Sequence, residues 1–321
     1  MPFQHHAGHR HRFPRAEYRV TNWSTYEAGL RQRGSLTIWF SEEAIAAWWA
    51  APRGTPGGQA RYSALAIETA LTLRAVFRLA FRQAEGLVGS LVRLLGLDLP
   101  VPDHSTLSRR ARTLEVTPRP RADGPLHLLV DSTGLKLGGP GEWLLERHGS
   151  RRRRSWRQLH IGVDAAAGEI VAVELSAPEV DDASQVGPLL DQVPAPVTSF
   201  VGDGAYDRED VYRAVEERHP GAAVVVPPRS TAVPSGTAST APTQRDRHVQ
   251  LIAENGRMAW QRASGYGARA KAEAAIQRFK QVIGDRLRAH SDAGRRTEVV
   301  IASNALNRML SFGRANYVRV A

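Results

Sequence analysis

Apolar residues recur at helical spacing from Tyr62 to Leu97, with Gly86 and Gly89 breaking the run. Upstream, FSEEAIAAWWA offers Ser41 as an N-cap ahead of Glu42 and Glu43, which places carboxylates in a first helical turn. Downstream, VPDHSTLSRRARTLE reads as a proline-containing turn, a capping Asp or Ser, and a short helix carrying Arg109, Arg110 and Arg112. Residues 16–125 are thus expected to be mostly helical, behind a tail at 1–15. Helix, turn and short basic helix form the pattern of a helix-turn-helix DNA-binding domain. At Leu126 the period changes from helical to alternating. HLLVDSTGLKL reads as a strand, and RQLHIGVDAAAGEIVAVELSA as two more joined by a turn at Ala166 to Gly168. A helix over Ser184 to Gln192 follows, then a strand in TSFVGDGAYD ending at Asp203, a helix from Arg208 to Arg218, and a fifth strand in AAVVVPP. Residues 229–244, rich in Pro, Ser and Thr, read as a loop insertion; helices are expected again at Arg245 to Trp260, Ala268 to Ile283 and Thr297 to Leu310. The fold class is α/β, a mixed sheet with flanking helices over 126–321. No internal repeat is visible.

Composition narrows the possibilities. Hydrophobic residues make up 42% of the 321 and charged residues 23%, ordinary values for a soluble globular chain. The longest apolar candidate for a membrane span, Ala66 to Ala80, is interrupted by Glu68, Arg74 and Arg78. MPFQHHAGHRHRFPR has no apolar core of a secretory signal, and its His5, His6, His9 and His11 fit no closed metal site. With no cysteine there are no disulfides and no thiol ligands. These features suit the cytoplasm. The net charge of +11 and pI near 10.7 point to a polyanionic partner, nucleic acid first. Only Lys136, Lys271 and Lys280 among the 43 basic residues are lysines, a bias that reflects genome composition more than function.

Three acids carry the candidate chemistry. Asp131 interrupts the apolar strand LLVDSTGL, where a desolvated carboxylate needs a partner or a metal. Asp203 ends a strand within VGDGAYD, where Gly202 and Gly204 leave room for something to approach the backbone. Either could instead cap the residues that follow it. Glu273 lies in YGARAKAEAAIQRFK, four residues after Arg269, so an exposed ion pair would account for it. Helix geometry argues for more. At about 100° per residue, Tyr266, Arg269, Glu273 and Lys280 fall within an arc of about 60°, beside an apolar strip of Ala272, Ile276, Phe279 and Ile283. That is the border of a buried face rather than the solvated side opposite it.

The motif Tyr-x2-Arg-x3-Glu-x6-Lys, met by Tyr266, Arg269, Glu273 and Lys280, resembles the signature of bacterial insertion-sequence transposases of the DDE class. VDSTG around Asp131 and DGAYD around Asp203 resemble the stretches that hold that family's other two acids. The likeness extends through HGSRRRRSWRQLHIGVDAAAGEIVAVEL and NALNRM, so that it covers Leu126 to Leu310. It is strongest to the branch with short terminal inverted repeats and a single reading frame. The resemblance implies a ribonuclease H-like fold, with Asp131 on the first, central strand, Asp203 just after the fourth and Glu273 on a later helix. It further implies that Asp131, Asp203 and Glu273 are the catalytic, metal-ligating triad.

Three converging carboxylates repel one another unless cations neutralise them, and hard oxygen donors suit two Mg²⁺ or Mn²⁺ ions. Asp131 is expected to bridge both ions, with Asp203 on one and Glu273 on the other. Water would attack the phosphodiester at an element end, and the 3′-hydroxyl released would then attack target DNA. Arg269 and Lys280 are expected to hold flanking phosphates; Tyr266 either stacks on a base or supports the helix. Arg151, Arg152, Arg153 and Arg154 either track a DNA backbone or form a solvated connection. Trp156 either inserts against an unstacked end base or packs in the core. The expected partners are double-stranded DNA, as terminal repeats and target, and a second copy of the chain or a higher oligomer that pairs two ends. A stand-alone nuclease on the same fold, or a DNA-binding regulator that no longer cuts, is the alternative.

Overall fold

The computed structural model describes residues 17–54, 56–120, 124–138 and 156–320. The expected Arg151 to Arg154 contacts and the histidine-rich tail lie outside them. The chain divides into two compact units: one is formed by the segments up to Ile38 and from Arg308 onward, the other spans Trp39–Asn307. In the first, the segment expected to be mostly helical begins with a short strand, Tyr18–Val20, antiparallel to Tyr317–Arg319. Asn22 fastens this pair, its side chain accepting from the Asn316 amide and donating to the Arg314 carbonyl, both at 2.7 Å. The helix Trp23–Gln32 comes so close that a Cβ at Gly29 would collide with the Phe312 carbonyl.

In the larger unit, α1 (Ala64–Val76) and α2 (Phe81–Leu94) are joined by the short stretch Phe77 to Ala80, and Arg78 there adopts a left-handed φ of 53°. A longer stretch, Leu95 to Asp103, leads to α3 (His104–Arg110). Asp103 caps α3, its carboxylate taking the Ser105 and Thr106 amides at 2.9 Å. The tight connection joins α1 to α2, and the basic helix α3 follows a connection longer than the three or four residues typical of a helix-turn-helix.

The sheet follows the alternation that begins at Leu126. β1 (Leu126–Leu137), β2 (Trp156–Asp164) and β3 (Ile170–Ser176) pair antiparallel, and β4 (Val197–Val201) and β5 (Ala223–Val225) extend the other side in parallel. The order is β3-β2-β1-β4-β5, with the two-residue β6 (Arg286–Leu287) parallel to the end of β1. A long central first strand flanked by an antiparallel pair on one side and parallel strands on the other is the ribonuclease H-like arrangement. Helices α4 (Val186–Leu190) and α5 (Glu209–Arg218) cover one face, burying Val186, Leu189, Val211 and Val215 among Leu128, Val130 and Phe200. At about 1.5–3 kcal/mol per fully buried apolar side chain, this layer is a main source of the sheet's stability.

After β5 the chain forms α6 (Gln244–Asn255) and α7 (Arg257–Ala263), where the sequence pattern suggests one helix. Gly256, at φ 81°, breaks it. A 3₁₀ turn, Tyr266–Arg269, leads into α8 (Ala270–Val282), which packs across β1 and β2 through Ala272, Ala275, Ile276 and Phe279. Three members of the predicted apolar strip are buried; Ile283 is only half-buried. Finally α9 (Asp292–Ser311) carries the NALNRM stretch, whose asparagines pin distant backbone. Asn307 exchanges two 2.8 Å hydrogen bonds with Ile170, the first residue of β3, and Asn304 bonds Thr117 and Arg119.

Candidate active site

Alternation along β1 decides where its polar residues point. Leu129 and Leu135 are buried on the side of the sheet that α8 covers, and Asp131 shares that side with them. Its carboxylate is 13% exposed and uses one oxygen to accept the Ser132 amide at 3.0 Å. Asp203 stands two residues beyond the end of β4 rather than on it, and caps a 3₁₀ turn by accepting the Ala205 amide at 2.8 Å. The local capping reading is therefore realised for Asp203 alone; Asp131 lies within β1, and the oxygen that takes the Ser132 amide is also the one that faces Arg269. The room expected at Gly202 is filled from within: a Cβ there would lie 2.7 Å from the Tyr206 ring.

What these carboxylates share is Arg269. Its guanidinium lies 3.3 Å from Asp131 Oδ1 and 3.5 Å from Asp203 Oδ2, and pairs closely with Glu273 Oε1. Three acids from a strand, a post-strand turn and a helix thus address one cation. In a 3₁₀ turn residues i and i+3 eclipse, so Tyr266 stands in line with Arg269 at the head of α8. The 57% exposed Glu273 forms the rim, Asp131 the floor. Electrostatics follow from this layout. Burial raises the Asp131 pKa, and the Arg269 charge opposes that rise. For Arg269 burial works against the charge, but Asp131, Tyr266, Asp203 and Glu273 outweigh it and hold its pKa above the usual value. Arg269 is in this conformation an ion-pair partner of the acids, where the sequence suggested a phosphate contact. Lys280, about 10 Å beyond Glu273 along α8 by helical rise, forms no ion pair with the three acids among the described residues.

The other candidates make local contacts. Tyr266 packs on Trp260, ring centroids 5.3 Å apart, and Trp260 donates through Nε1 to His248 Nδ1 at 2.6 Å. The ring of Trp156 lies over Gly134 of β1, and the side chain remains 41% exposed. Arg110 donates to the Tyr62 carbonyl at 3.3 Å; Arg109 is exposed and reaches only Thr106. The Trp260–His248 bond carries a prediction. An Nδ1 that accepts must be unprotonated, and burial lowers the His248 pKa below 6.5. A depressed histidine pKa contributes stability that is present above about 6.5 and lost as pH falls through the folded-state value. NMR titration should show His248 protonating below 6.5 with loss of the Trp260 indole N–H signal; titration at or above 6.5 would contradict the buried neutral acceptor.

Two groups were not anticipated from sequence. On the opposite face of β1, Ser132 Oγ donates to Asp182 at 3.0 Å and accepts from Gln158 at 2.8 Å. His160, fully buried, sits 2.8 Å from Ser176 Oγ and 3.4 Å from Asp182. His160 could have been noticed as a lone polar residue in an apolar strand, the same signal that marks Asp131. The second group holds the turn after Asp203. Asp207, the last residue of DGAYD, is buried and takes Arg245 Nε at 2.7 Å and the Arg229 amide at 2.9 Å. Arg229 in turn donates to the Gly204 carbonyl at 3.3 Å.

In this conformation no group of three or more His, Cys, Asp or Glu side chains among the described residues is arranged to hold a metal ion. The donor chemistry of Asp131, Asp203 and Glu273 nonetheless fits a hard divalent cation, because all three direct carboxylate oxygens at the same positive group. No described helix is long and apolar enough to cross a membrane.

Two family models, both described as Transposase DDE domain, match the chain over residues 31–140 and 122–308. Among solved structures, a piggyBac transposase synaptic complex with hairpin DNA aligns at 9% identity over 92% of this chain and 78% of that one, with a TM-score of 0.37. The Drosophila P element transposase strand transfer complex aligns at 11% identity over 90% and 86%, with a TM-score of 0.30. The Mos1 strand transfer complex aligns at 12% over 83% and 82%, with a TM-score of 0.22. Likenesses this slight do not bear on the fold, which rests on its own strand order. The second family model alone spans more than half of the 321 residues, and with it the chain belongs to the DDE-class transposases.

Proposed function

We propose that this transposase binds the terminal inverted repeats of an insertion sequence, cuts at the element ends and joins the 3′-hydroxyl ends to target DNA. The observation that carries the reading is the convergence of Asp131, Asp203 and Glu273 on one cationic group. These three would hold Mg²⁺ or Mn²⁺, two ions in our reading, and such ions supply Lewis-acid stabilisation of the attacking and leaving oxygens. The chain's own residues set the geometry. The Ser132 amide fixes one Asp131 oxygen, the Ala205 amide fixes one of Asp203, and α8 delivers Glu273 at the rim. Arg269 and Lys280 hold phosphates that flank the scissile one. Tyr266, seated on Trp260, supports the head of α8. Arg109 and Arg110, with Arg151 to Arg154 and Trp156, form further DNA contacts. The segment 16–125 is the DNA-binding domain, two copies of the chain pair two element ends, and the site of action is the cytoplasmic nucleoid.

The test is a strand-transfer assay with a linear duplex ending in the inverted repeats that flank the reading frame, supplied with Mg²⁺ and a supercoiled target. Joined product is expected. Cleavage without joining would replace this reading with that of a nuclease.

A further inference from the structure

We infer that Arg269 is a positioning residue that stands in for the metal, and that it releases the carboxylates to metal when a DNA phosphate takes its guanidinium. This rests on the reading of Asp131, Asp203 and Glu273 as metal ligands. The atoms involved are the argument. The Arg269 guanidinium lies against Asp131 Oδ1, Asp203 Oδ2 and Glu273 Oε1 together, so it fills the space in which a metal shared by the three acids would sit. Both cannot hold the site at once.

Arg269 is bound to the acids in a way that lets it leave. Charge-assisted N–H···O bonds are typically about 2.7–2.9 Å, and the fork of a guanidinium matches one bidentate anion. Here it is spread over three acceptors, two of them at 3.3 and 3.5 Å, and its Nε is buried with no hydrogen-bond partner. A phosphate offers the bidentate fit that the three acids do not. The backbone can follow such a move. Arg269 ends a 3₁₀ turn that connects α7 to α8, next to residues with little packed around them. Gly265 before it has φ 68°, and a Cβ at Gly265 or Gly267 would meet nothing within 4 Å.

The consequence is coupling. Without DNA, Arg269 neutralises the repulsion of the three acids and keeps them together while competing with metal. With an element end bound, the guanidinium turns to phosphate and metal binds more tightly. Linkage requires the converse: metal strengthens DNA binding by the same factor.

The experiment uses full-length protein freed of metal, with Mn²⁺ binding followed by the electron paramagnetic resonance of the free ion. Arg269→Gln is expected to bind Mn²⁺ about 5- to 150-fold more tightly than wild type, the usual span of site-to-site coupling, with Arg269→Lys between them. A duplex carrying the terminal repeat, at saturating concentration, should raise Mn²⁺ affinity by a larger factor in wild type than in Arg269→Gln. Equal Mn²⁺ affinities without DNA, or equal factors on adding it, would overturn the inference. Where Arg269→Gln does not fold, Arg269→Lys decides alone: its single ammonium cannot span three carboxylates, and an affinity no tighter than wild type overturns the inference. Mn²⁺ binding that is absent throughout, or that survives Asp131→Asn, overturns the metal-ligand reading beneath it. The two failures are therefore distinguishable.

Discussion

Glu273→Gln is expected to lower Mg²⁺-dependent strand cleavage by at least about 10³-fold, since metal-assisted charge stabilisation is worth several kcal/mol and each 1.36 kcal/mol is tenfold. The amide keeps the size of the carboxylate and one acceptor oxygen, and removes its charge. Its fold cost should be small, because Glu273 is 57% exposed and its pair with Arg269 is screened by solvent. Without metal, binding to the terminal repeats should persist within about twofold, because Glu273 is an acid that no anionic backbone would contact favourably. Cleavage of a labelled repeat duplex, with a mobility-shift measurement on the same preparation, separates the two effects. Retained cleavage would remove Glu273 from the site. Loss of binding in step with cleavage would make it a structural residue.

Why this acid could be singled out at all has a physical answer. Helical periodicity is local, so the arc shared by Arg269, Glu273 and Lys280 and its place beside Ala272, Ile276 and Phe279 could be read from one stretch. The alternation of β1 to β3 was equally local, and those strands lie where the pattern puts them. What escaped were features decided by distant partners. Arg269 and Asp131 are 138 positions apart, and nothing near either one announces their contact. The pairing of Tyr18–Val20 with Tyr317–Arg319 joins two three-residue segments from opposite ends of the sequence, too short to show a period. The break at Gly256 was visible as a glycine within a helical pattern, but a lone glycine there is often tolerated at about 1 kcal/mol. The polar set of Ser132, His160 and Asp182 escaped for a different reason. Alternation gives the face on which a residue lies but not what it meets there.

Asp207 gives the second large effect, and it separates stability from positioning. Its carboxylate is wholly buried and takes a two-point contact from Arg245, Nε at 2.7 Å and a terminal nitrogen at 3.2 Å. Removing one partner of a buried pair typically costs about 3–5 kcal/mol, because the other charge is left uncompensated. Arg245 is 19% exposed, so water can reach it, and Asp207→Ala is expected near the lower end, about 3 kcal/mol. The paired replacement Asp207→Leu with Arg245→Met should recover most of that loss, since apolar side chains of similar volume can substitute for a buried ion pair. Cleavage should not recover with it. The same carboxylate accepts the Arg229 amide, and Arg229 holds the Gly204 carbonyl in the turn that Asp203 caps. Leucine cannot accept that amide, so Asp203 loses its external clamp even in a stable fold. Thermal unfolding and cleavage measured on wild type, both single variants and the pair would close a double-mutant cycle. Recovery of both properties together would mean that Asp207 serves stability alone. Recovery of stability without cleavage would place Asp207 and Arg229 behind Asp203 as the groups that aim it.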